Sequence, residues 1–213
     1  MSSVAIVDYG MGNLHSIAKA LQFADDRTRV MVTADANTIL AADRVVFPGV
    51  GAMRDCMQAL RTLGLDEVLH TVARTKPLLG ICLGMQALLT ESAENDQVSC
   101  LNIVKGQVVR FAADLQDQHG QALKIPHMGW NQVHYESHPL WHNIQQDSRF
   151  YFVHSYYVQP QAAGVTIATT QYPEAFTCAL AQENVFAVQF HPEKSQVVGL
   201  QLLQNFLHWD GLV

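Results

Sequence analysis

The first hundred residues alternate between short apolar runs and longer segments in which apolar residues recur every three or four positions. The apolar runs predict β-strands at residues 4–8, 29–33, 44–47 and 78–81. The amphipathic segments predict helices at residues 14–24, 53–63 and 83–89. Such alternation is typical of an α/β fold, with right-handed crossovers and helices on both faces of a parallel sheet.

The pattern changes after residue 100, where short apolar runs follow one another without helices between them. They predict strands at residues 106–111, 132–135, 150–153, 165–170, 176–182 and 185–190, and a closing helix from about 197 to 209. Consecutive short strands favour an antiparallel extension of the sheet, and the last strand is expected to return to its centre. The predicted fold is a mostly parallel central sheet, flanked by helices, with an antiparallel extension.

Composition favours one domain over residues 1–213. Of the 213 residues, 49% are hydrophobic and only 15% are charged, which is enough apolar material for a single substantial core. No basic segment followed by an apolar run opens the chain, and no apolar stretch approaches the roughly 20 residues that a membrane helix requires. We therefore expect a cytoplasmic protein with no membrane partner.

Three features of the composition argue against other classes of protein: the net charge against nucleic-acid binding, the cysteines against a disulfide-stabilised fold, and the histidines against a metal site. The formal net charge is −6 and the 13 Lys and Arg residues are scattered, so no nucleic-acid partner is expected. The four cysteines show neither Cys-x-x-Cys spacing nor a disulfide framework. His134, His138 and His142 have helical spacing, but Pro139 breaks such a helix, so we predict no metal site and no cofactor.

The most informative segment is Gly80-Ile81-Cys82-Leu83-Gly84, at the junction of a predicted strand and a predicted helix. A sharp strand-to-helix turn strains its central residue and requires small residues two positions before and after it. Gly80 and Gly84 meet that requirement. The turn places Cys82 at a helix start, where unpaired N–H groups favour thiolate over thiol. Cys82 is therefore the predicted nucleophile.

His191-Pro192-Glu193 follows the strand predicted at 185–190 and offers a base for this thiol. Pro192 stiffens the loop, so that Glu193 can return to the imidazole and fix its tautomer while the other ring nitrogen handles the proton. A single cysteine or histidine is more often structural, but the carboxyl ends of parallel strands share one edge of a sheet. The sequence therefore predicts a Cys82-His191-Glu193 triad for acyl transfer.

Another predicted strand, at 44–47, runs into Pro48-Gly49-Val50-Gly51. Glycine leaves backbone N–H groups unobstructed and lets a peptide rotate between orientations. We expect the N–H groups of Val50 and Leu83 to form an oxyanion hole. Taken alone, the loop also fits an ordinary strand-to-helix turn.

The order and separation of these three motifs resemble those of class I glutamine amidotransferases. Further segments are similar to the glutaminase subunits of imidazole glycerol phosphate synthases, namely residues 8–14, 126–131, 151–156 and 191–195. The resemblance covers nearly the whole chain. It implies the flavodoxin-like fold of the class I amidotransferases.

The resemblance also implies a reaction divided between two proteins. Cys82 attacks the side-chain amide of glutamine, a glutamyl thioester forms, and water releases glutamate. The ammonia passes through a partner cyclase, a (β/α)₈ barrel bound as a heterodimer, which makes imidazole glycerol phosphate and AICAR in histidine biosynthesis.

Two further sets of residues are implied by matching motif positions. Substrate binding is implied for Gly49, Gln86, Ser155 and Tyr156. Contact with the partner is implied for Asn13, Trp130 and Lys194. The position of Gln86, one helical turn after Cys82 on the same face, agrees with a substrate contact. Ser155 and Tyr156 also fit a half-buried strand end, Trp130 also fits core packing, and Lys194 also fits a solvated side chain.

Three alternatives remain open at this stage. Glutaminases of the anthranilate or aminobenzoate synthase type favour Pro-Gly-Pro-Gly in the oxyanion loop and a histidine before the helix glutamine, where this chain has Val50 and Met85. A stand-alone cysteine hydrolase would act on glutamine without a partner. A non-catalytic binding module would form no adduct at Cys82 with an alkylating glutamine analogue.

Overall fold

In the computed structural model, which describes residues 2–117 and 119–212, a twelve-stranded sheet lies between two layers of helices. The strands are β1 (Ser3–Val7), β2 (Arg29–Thr33), β3 (Arg44–Gly49), β4 (Leu78–Cys82), β5 (Glu91–Ser92), β6 (Val98–Ser99), β7 (Gly106–Arg110), β8 (His127–Gln132), β9 (His134–Tyr135), β10 (Arg149–His154), β11 (Tyr156–Pro160), β12 (Thr166–Gln171), β13 (Ala175–Gln182) and β14 (Val185–Val188). The helices are α1 (Leu14–Ala24), α2 (Ala36–Ala41), α3 (Met53–Leu63), α4 (Leu65–Thr75), α5 (Leu83–Ala87) and α6 (Gln196–His208).

Five parallel strands extend from one edge of the sheet, at β2, to its centre, in the order β2-β1-β3-β4-β14. Among these five strands the order is the 2-1-3-4-5 arrangement of flavodoxin-like folds. Leu79 in β4 has Val46 and Phe186 as its register partners on the two neighbouring strands. The predicted parallel centre is confirmed, and so is the return of the last strand to it.

The predicted antiparallel extension is also confirmed. Beyond β14 the sheet continues through β13, β11 and β7, each antiparallel to the strand before it. Two predictions were wrong in detail. The segment predicted as one strand at 132–135 is divided between β8 and β9, and only β9 joins the large sheet. The strand predicted at 150–153 is β10, which pairs with β8 in a separate two-stranded sheet and not in the extension. Alternation of apolar residues shows that a segment is extended but does not specify its pairing partner.

Two apolar cores lie on the opposite faces of the sheet. In β1, Ala5 and Val7 belong to one core and Val4 and Ile6 to the other, as the two-residue period of a strand requires. Helices α1 and α6 cover one face, and α2 to α5 cover the other. The chain therefore has helices on both faces, as predicted for its α/β pattern.

The sequence patterns missed two helices. Helix α2 has only six residues and is capped by the preceding Asp35, whose carboxylate accepts a hydrogen bond from the Thr38 N–H (2.8 Å). Helix α4 follows α3 after one residue, Gly64, which takes a left-handed conformation with φ of 67°. A short helix carries little periodicity, and a one-residue break is difficult to read from spacing alone.

Candidate active site

Cys82 lies at the end of β4 and immediately before α5, in a strained conformation with φ of 55° and ψ of −111°. A side chain at Gly84 would overlap the carbonyl oxygen of Phe47, and a Cβ atom at Gly80 would lie 3.0 Å from that of Ala187. Both glycines are therefore required by close packing around the turn. Helix α5 ends at Ala87, so it is shorter than the predicted helix at 83–89.

The Cys82 side chain is 7% exposed and lines a cavity of about 310 Å³. The other cysteines are buried elsewhere in the two cores and do not line this cavity. Burial raises the pKa of the Cys56 and Cys100 thiols to about 12, and it also raises the pKa of Cys178. Of these four cysteines, Cys82 is therefore the one that lies at a cavity able to admit a substrate, as a nucleophile requires.

His191 and Glu193 form a buried pair beside the same cavity. The Nδ1 atom of His191 donates to Glu193 Oε1 at 2.8 Å, and the two side chains are only 3% and 1% exposed. The backbone between them is fixed by Ser195, whose hydroxyl donates to the His191 carbonyl (2.6 Å) and accepts from the Tyr151 N–H (3.0 Å). A side chain at Gly199 in α6 would overlap the Pro192 carbonyl, so this glycine lets the helix pack closely against the turn.

The electrostatics of His191 favour its cation. Burial by itself lowers the pKa of His191, but the neighbouring Cys82 sulfur and the Glu193 carboxylate outweigh burial and raise it to about 10. The Nε2 atom is buried and, within the described residues, makes no hydrogen bond of ordinary geometry. The surroundings of His191 therefore favour the protonated imidazole, whose Nδ1–H is held by Glu193.

The glycine loop after β3 borders the nucleophile. Gly49 is the register partner of Cys82, and Val50, Gly51 and Leu83 line the cavity. Gly51 has φ of 99°, which favours glycine. As the first residue of α5, Leu83 has an N–H with no acceptor inside the helix. Val50 and Leu83, whose backbone N–H groups are the expected donors, thus border the same cavity as Cys82.

The residues expected to bind substrate occupy different positions around this space. Gln86, Ser155 and Tyr156 line the cavity. Gln86 is only 4% exposed, so it is not a solvated helix residue, and its Nε2 donates to the Tyr156 carbonyl at 3.0 Å. Gly49 does not line the cavity but packs behind it, with no room for a side chain between Tyr9 and Leu83.

The residues expected to contact a partner lie at or near the same edge of the sheet. Trp130 is 41% exposed, so its ring is not part of the core, and it packs edge-on against Tyr151 with ring centroids 6.0 Å apart. Lys194 lines the cavity and places its Nζ 5.9 Å from the Tyr151 ring centre. Asn13 immediately precedes α1 and is half-buried, at the carboxyl end of β1.

Glu94 and Gln189 are among the polar residues of the site that were not predicted from the sequence, as is His154, which lines the cavity. Glu94 lines the cavity, and its Oε2 accepts from the Met53 N–H at 2.9 Å. Gln189 is completely buried and its Nε2 lies 3.7 Å from the Cys82 sulfur. A polar residue inside the apolar run before His191 was a signal for Gln189, whereas nothing in the local pattern distinguished Glu94.

Residues 2–117 and 119–212 lack two other features, a metal-binding cluster and a membrane-spanning helix. These residues contain no group of three or more His, Cys, Asp or Glu side chains that could hold a metal ion. The same residues contain no helix with the length and apolar character needed to cross a membrane.

Known structures share this fold. A crystal structure of a glutamine amidotransferase superposes with a TM-score of 0.72, covering 96% of this chain and 97% of its own, at 16% identity. A chain from the structure of PurLQS from Thermotoga maritima gives a TM-score of 0.69, covering 97% of this chain and 98% of its own, at 15% identity. At these identities the comparison supports the predicted class I amidotransferase fold and nothing finer.

Sequence comparison identifies the family. The family model described as glutamine amidotransferase class-I matches residues 5–209. The imidazole glycerol phosphate synthase subunit HisH of Methylococcus capsulatus is 60% identical over 212 residues, 99% of this chain and 98% of that protein. The HisH subunit of Nitrosococcus oceani is 56% identical over the full length of both chains. The chain therefore belongs to the class I glutamine amidotransferase family and, within it, to the HisH subunits of imidazole glycerol phosphate synthase.

Proposed function

We propose that this chain, as a single domain, is the glutaminase of an imidazole glycerol phosphate synthase and supplies ammonia for histidine biosynthesis. One observation carries the proposal: the Cys82 sulfur and the His191 imidazole, which Glu193 orients, border the same cavity. Cys82 is the nucleophile, His191 the general acid and base, and Glu193 the group that fixes the imidazole. The reaction takes place in the cytoplasm.

The chemistry proceeds in two steps. The Cys82 thiolate attacks the side-chain amide carbon of glutamine, and His191 gives its Nε2 proton to the departing nitrogen, so that ammonia leaves and a thioester forms. Water then attacks the thioester, His191 accepts a proton from it, and glutamate leaves as the Cys82 thiolate is restored. Each step returns the imidazole to the protonation state that the next requires.

The oxyanion of both tetrahedral intermediates is bound by the N–H groups of Val50 and Leu83. These residues line the cavity on the two sides of the nucleophile, from the β3 loop and the start of α5. Donors fixed in place before the reaction stabilise the developing charge without reorganisation. The loop glycines allow the Val50 peptide to turn away when no partner ligand is bound, which limits wasteful hydrolysis.

The substrate has a charged head and a neutral amide tail, and the cavity offers polar groups for both. The Glu94 carboxylate is suited to the ammonium of glutamine, and Ser155 and Tyr156, which also line the cavity, bind the head. Both N–H groups of Gln86 are occupied, so only its Oε1 is left for a substrate N–H. Gly49 acts indirectly, by letting the loop approach Leu83.

The partner is a cyclase subunit built as a (β/α)₈ barrel, which binds the edge of the sheet that holds the cavity. Ammonia is mostly protonated in neutral water, so a direct transfer keeps it nucleophilic. Trp130 and Val197 line one depression on this side, and Met128 is exposed on the strand of Trp130. Exposed apolar residues grouped in this way are suited to a protein interface, to which Asn13 and Lys194 add polar contacts.

The proposal is tested by measuring glutamate release from glutamine, with and without the co-purified cyclase and its ribonucleotide. Cys82→Ala is expected to abolish glutamine-dependent synthesis and to leave an ammonia-driven reaction in the cyclase. Cys100→Ala, at another buried cysteine, is the matched control and is expected to retain glutamine-dependent synthesis. Glutamine-dependent synthesis by Cys82→Ala would contradict the proposed nucleophile. Equal glutaminase rates for the isolated chain, the complex and the liganded complex would contradict the regulated loop.

A further inference from the structure

We propose that Gln189 is a further catalytic residue, whose side-chain amide donates a hydrogen bond to the Cys82 sulfur and holds the nucleophile as an oriented thiolate. The inference rests on the nucleophilic role of Cys82 proposed above. Gln189 Nε2 lies 3.7 Å from Sγ, a distance at which an N–H donates to a sulfur atom. The two residues are 107 positions apart in the sequence and meet through the pairing of β4 with β14.

The complete burial of Gln189 indicates that its polar amide serves the hydrogen bonds that it makes. It is 0% exposed and lies between the apolar residues Val188 and Phe190, which are also fully buried. An amide without partners is costly in such surroundings. Both ends of this amide are paired, one with the Cys82 sulfur and the other with Gln86 Nε2 at 2.9 Å. All of its side-chain hydrogen bonds therefore go to residues that line the cavity.

The orientation of the amide follows from the hydrogen bonds around it. The Tyr156 carbonyl can only accept, so the Gln86 atom 3.0 Å away must be its NH₂ group. The second N–H of that group points to Gln189, whose facing atom must therefore be the oxygen. The NH₂ group of Gln189 is left toward the sulfur. The Tyr156 carbonyl thus fixes the orientation of the Gln86 amide and, through it, that of the Gln189 amide, so that a Gln189 N–H faces the Cys82 sulfur.

The Tyr156 carbonyl is itself held by a second group. His154 Nδ1 donates to it at 2.8 Å, and His154 Nε2 lies 2.9 Å from His127 Nδ1. Burial lowers the pKa of His154 to about 3 and that of His127 to about 4, so both rings are neutral. A neutral imidazole has one donor and one acceptor, which makes every contact in this series compatible with its neighbours.

The hydrogen bond has a defined role in the reaction. A hydrogen bond to a charged acceptor is stronger than one to a neutral acceptor, so Gln189 favours the thiolate over the thiol or the thioester. The sulfur carries charge before it attacks glutamine and again when it leaves the thioester. Gln189 therefore assists the resting enzyme and the second step, while the backbone donors of the oxyanion hole assist the intermediates.

The test measures how fast iodoacetamide alkylates Cys82 in the full chain, quantified by mass spectrometry of the peptide that contains it. Gln189→Glu keeps the oxygen that faces Gln86 and loses the donor, and Gln189→Met removes the whole amide at similar length. Both variants are expected to react about tenfold more slowly near neutral pH, the effect of one hydrogen bond to a charged group. At strongly alkaline pH their rates should approach that of wild type, because the thiol then ionises without help. A purely structural defect would not disappear in this way.

Gln107→Met is the matched control, since Gln107 is exposed on β7, and it should react at the wild-type rate. Gln86→Met leaves Gln189 in place but removes the group that orients it, and should give a smaller slowing. If wild-type Cys82 does not react at all, the proposed nucleophile is wrong. The role of Gln189 is refuted, and the triad is unaffected, if wild type reacts and both folded variants, Gln189→Glu and Gln86→Met, react at the wild-type rate near neutral pH. Circular dichroism establishes whether each variant is folded. If Gln189→Met is unfolded, the alkylation rate of Gln189→Glu alone decides the test.

Discussion

At the scale of single residues, the active site depends on charges placed in apolar surroundings. His191 and Glu193 are both nearly inaccessible, and their contact at 2.8 Å stabilises the imidazolium in that environment. Breaking one member of a buried pair leaves the other without compensation. Substitutions here should therefore affect catalysis and stability together, in ways that exposed residues do not.

Glu193→Gln tests the orientation of the imidazole. The amide has nearly the same size as the carboxylate but can present a donor to Nδ1, so the ring loses the group that fixes it as a cation. We expect glutaminase kcat to fall about 10⁴-fold, by analogy with amide substitution in other triads. The exposed Glu136→Gln is the control and should leave kcat unchanged. A steady-state assay of glutamate release decides, and a kcat near wild type would contradict the assigned role.

The pH dependence of the free energy of unfolding follows from the raised pKa of His191. The pKa of His191 in the folded chain is raised from 6.5 to about 10. Its contribution to stability is therefore complete below pH 6.5 and is lost as the pH rises through about 10. Urea unfolding at several pH values should show wild type losing stability over this window and Glu193→Gln losing less. Parallel curves for the two proteins would argue against the pair as the cause.

At the scale of elements, the site depends on close approaches of backbone that only glycine permits. Gly84 places the start of α5 against the carbonyl of Phe47 in β3, and Gly199 places α6 against the carbonyl of Pro192. The first contact positions Cys82, the proposed nucleophile, and the second positions the turn that carries His191 and Glu193. Helix packing and catalytic geometry are therefore linked at these two glycines.

Gly84→Ala should be strongly destabilising, because the new methyl group overlaps backbone that cannot rotate away. We expect a loss of about 3 kcal/mol in the free energy of unfolding, at the upper end for overpacking. Gly164→Ala is the matched control, since no atom lies within 4 Å of a Cβ built there. It should change stability by less than about 0.5 kcal/mol. Equal stabilities in urea denaturation would refute the packing argument.

At the scale of the whole molecule, one edge of the sheet combines the cavity with exposed apolar side chains. The carboxyl ends of β3 and β4, together with the turn that follows β14, carry the reactive groups, while Trp130 and Val197 lie on the surface beside Ser195. A short distance between product and partner reduces the loss of ammonia to water. The position of the cavity thus supports the docking face proposed above for the cyclase.

Trp130→Ala should weaken binding to the cyclase by about 2 kcal/mol, roughly 30-fold in Kd, as for large aromatic residues at interfaces. Phe23→Ala is the matched control, because Phe23 is 79% exposed near the end of α1, which leads away from the active-site edge. It should bind with the affinity of wild type. Isothermal titration of each variant with the cyclase gives the two values. Equal weakening by both substitutions, or by neither, would contradict the proposed docking face.

Much of the fold and the reactive groups could be predicted from sequence. The limits of α1 and α3 were predicted correctly because both are amphipathic over three turns, whereas α2 was missed because it has six residues. Cys82, His191 and Glu193 could be proposed as a triad because each lies in a short motif whose spacing has a local steric cause. Trp130 could not be assigned to core or surface, since both environments accept an aromatic ring.

The sequence by itself determined which segments extend or coil, which of their faces are buried, and where a strained cysteine and a histidine-carboxylate pair occur. The tertiary structure alone decided that Gln189 meets the Cys82 sulfur, that Glu94 lines the cavity, and that β8 and β9 enter different sheets. The physical reason is that periodicity records the environment of each residue along its own element. Contacts between distant elements depend instead on strand order and crossovers, which the global packing selects.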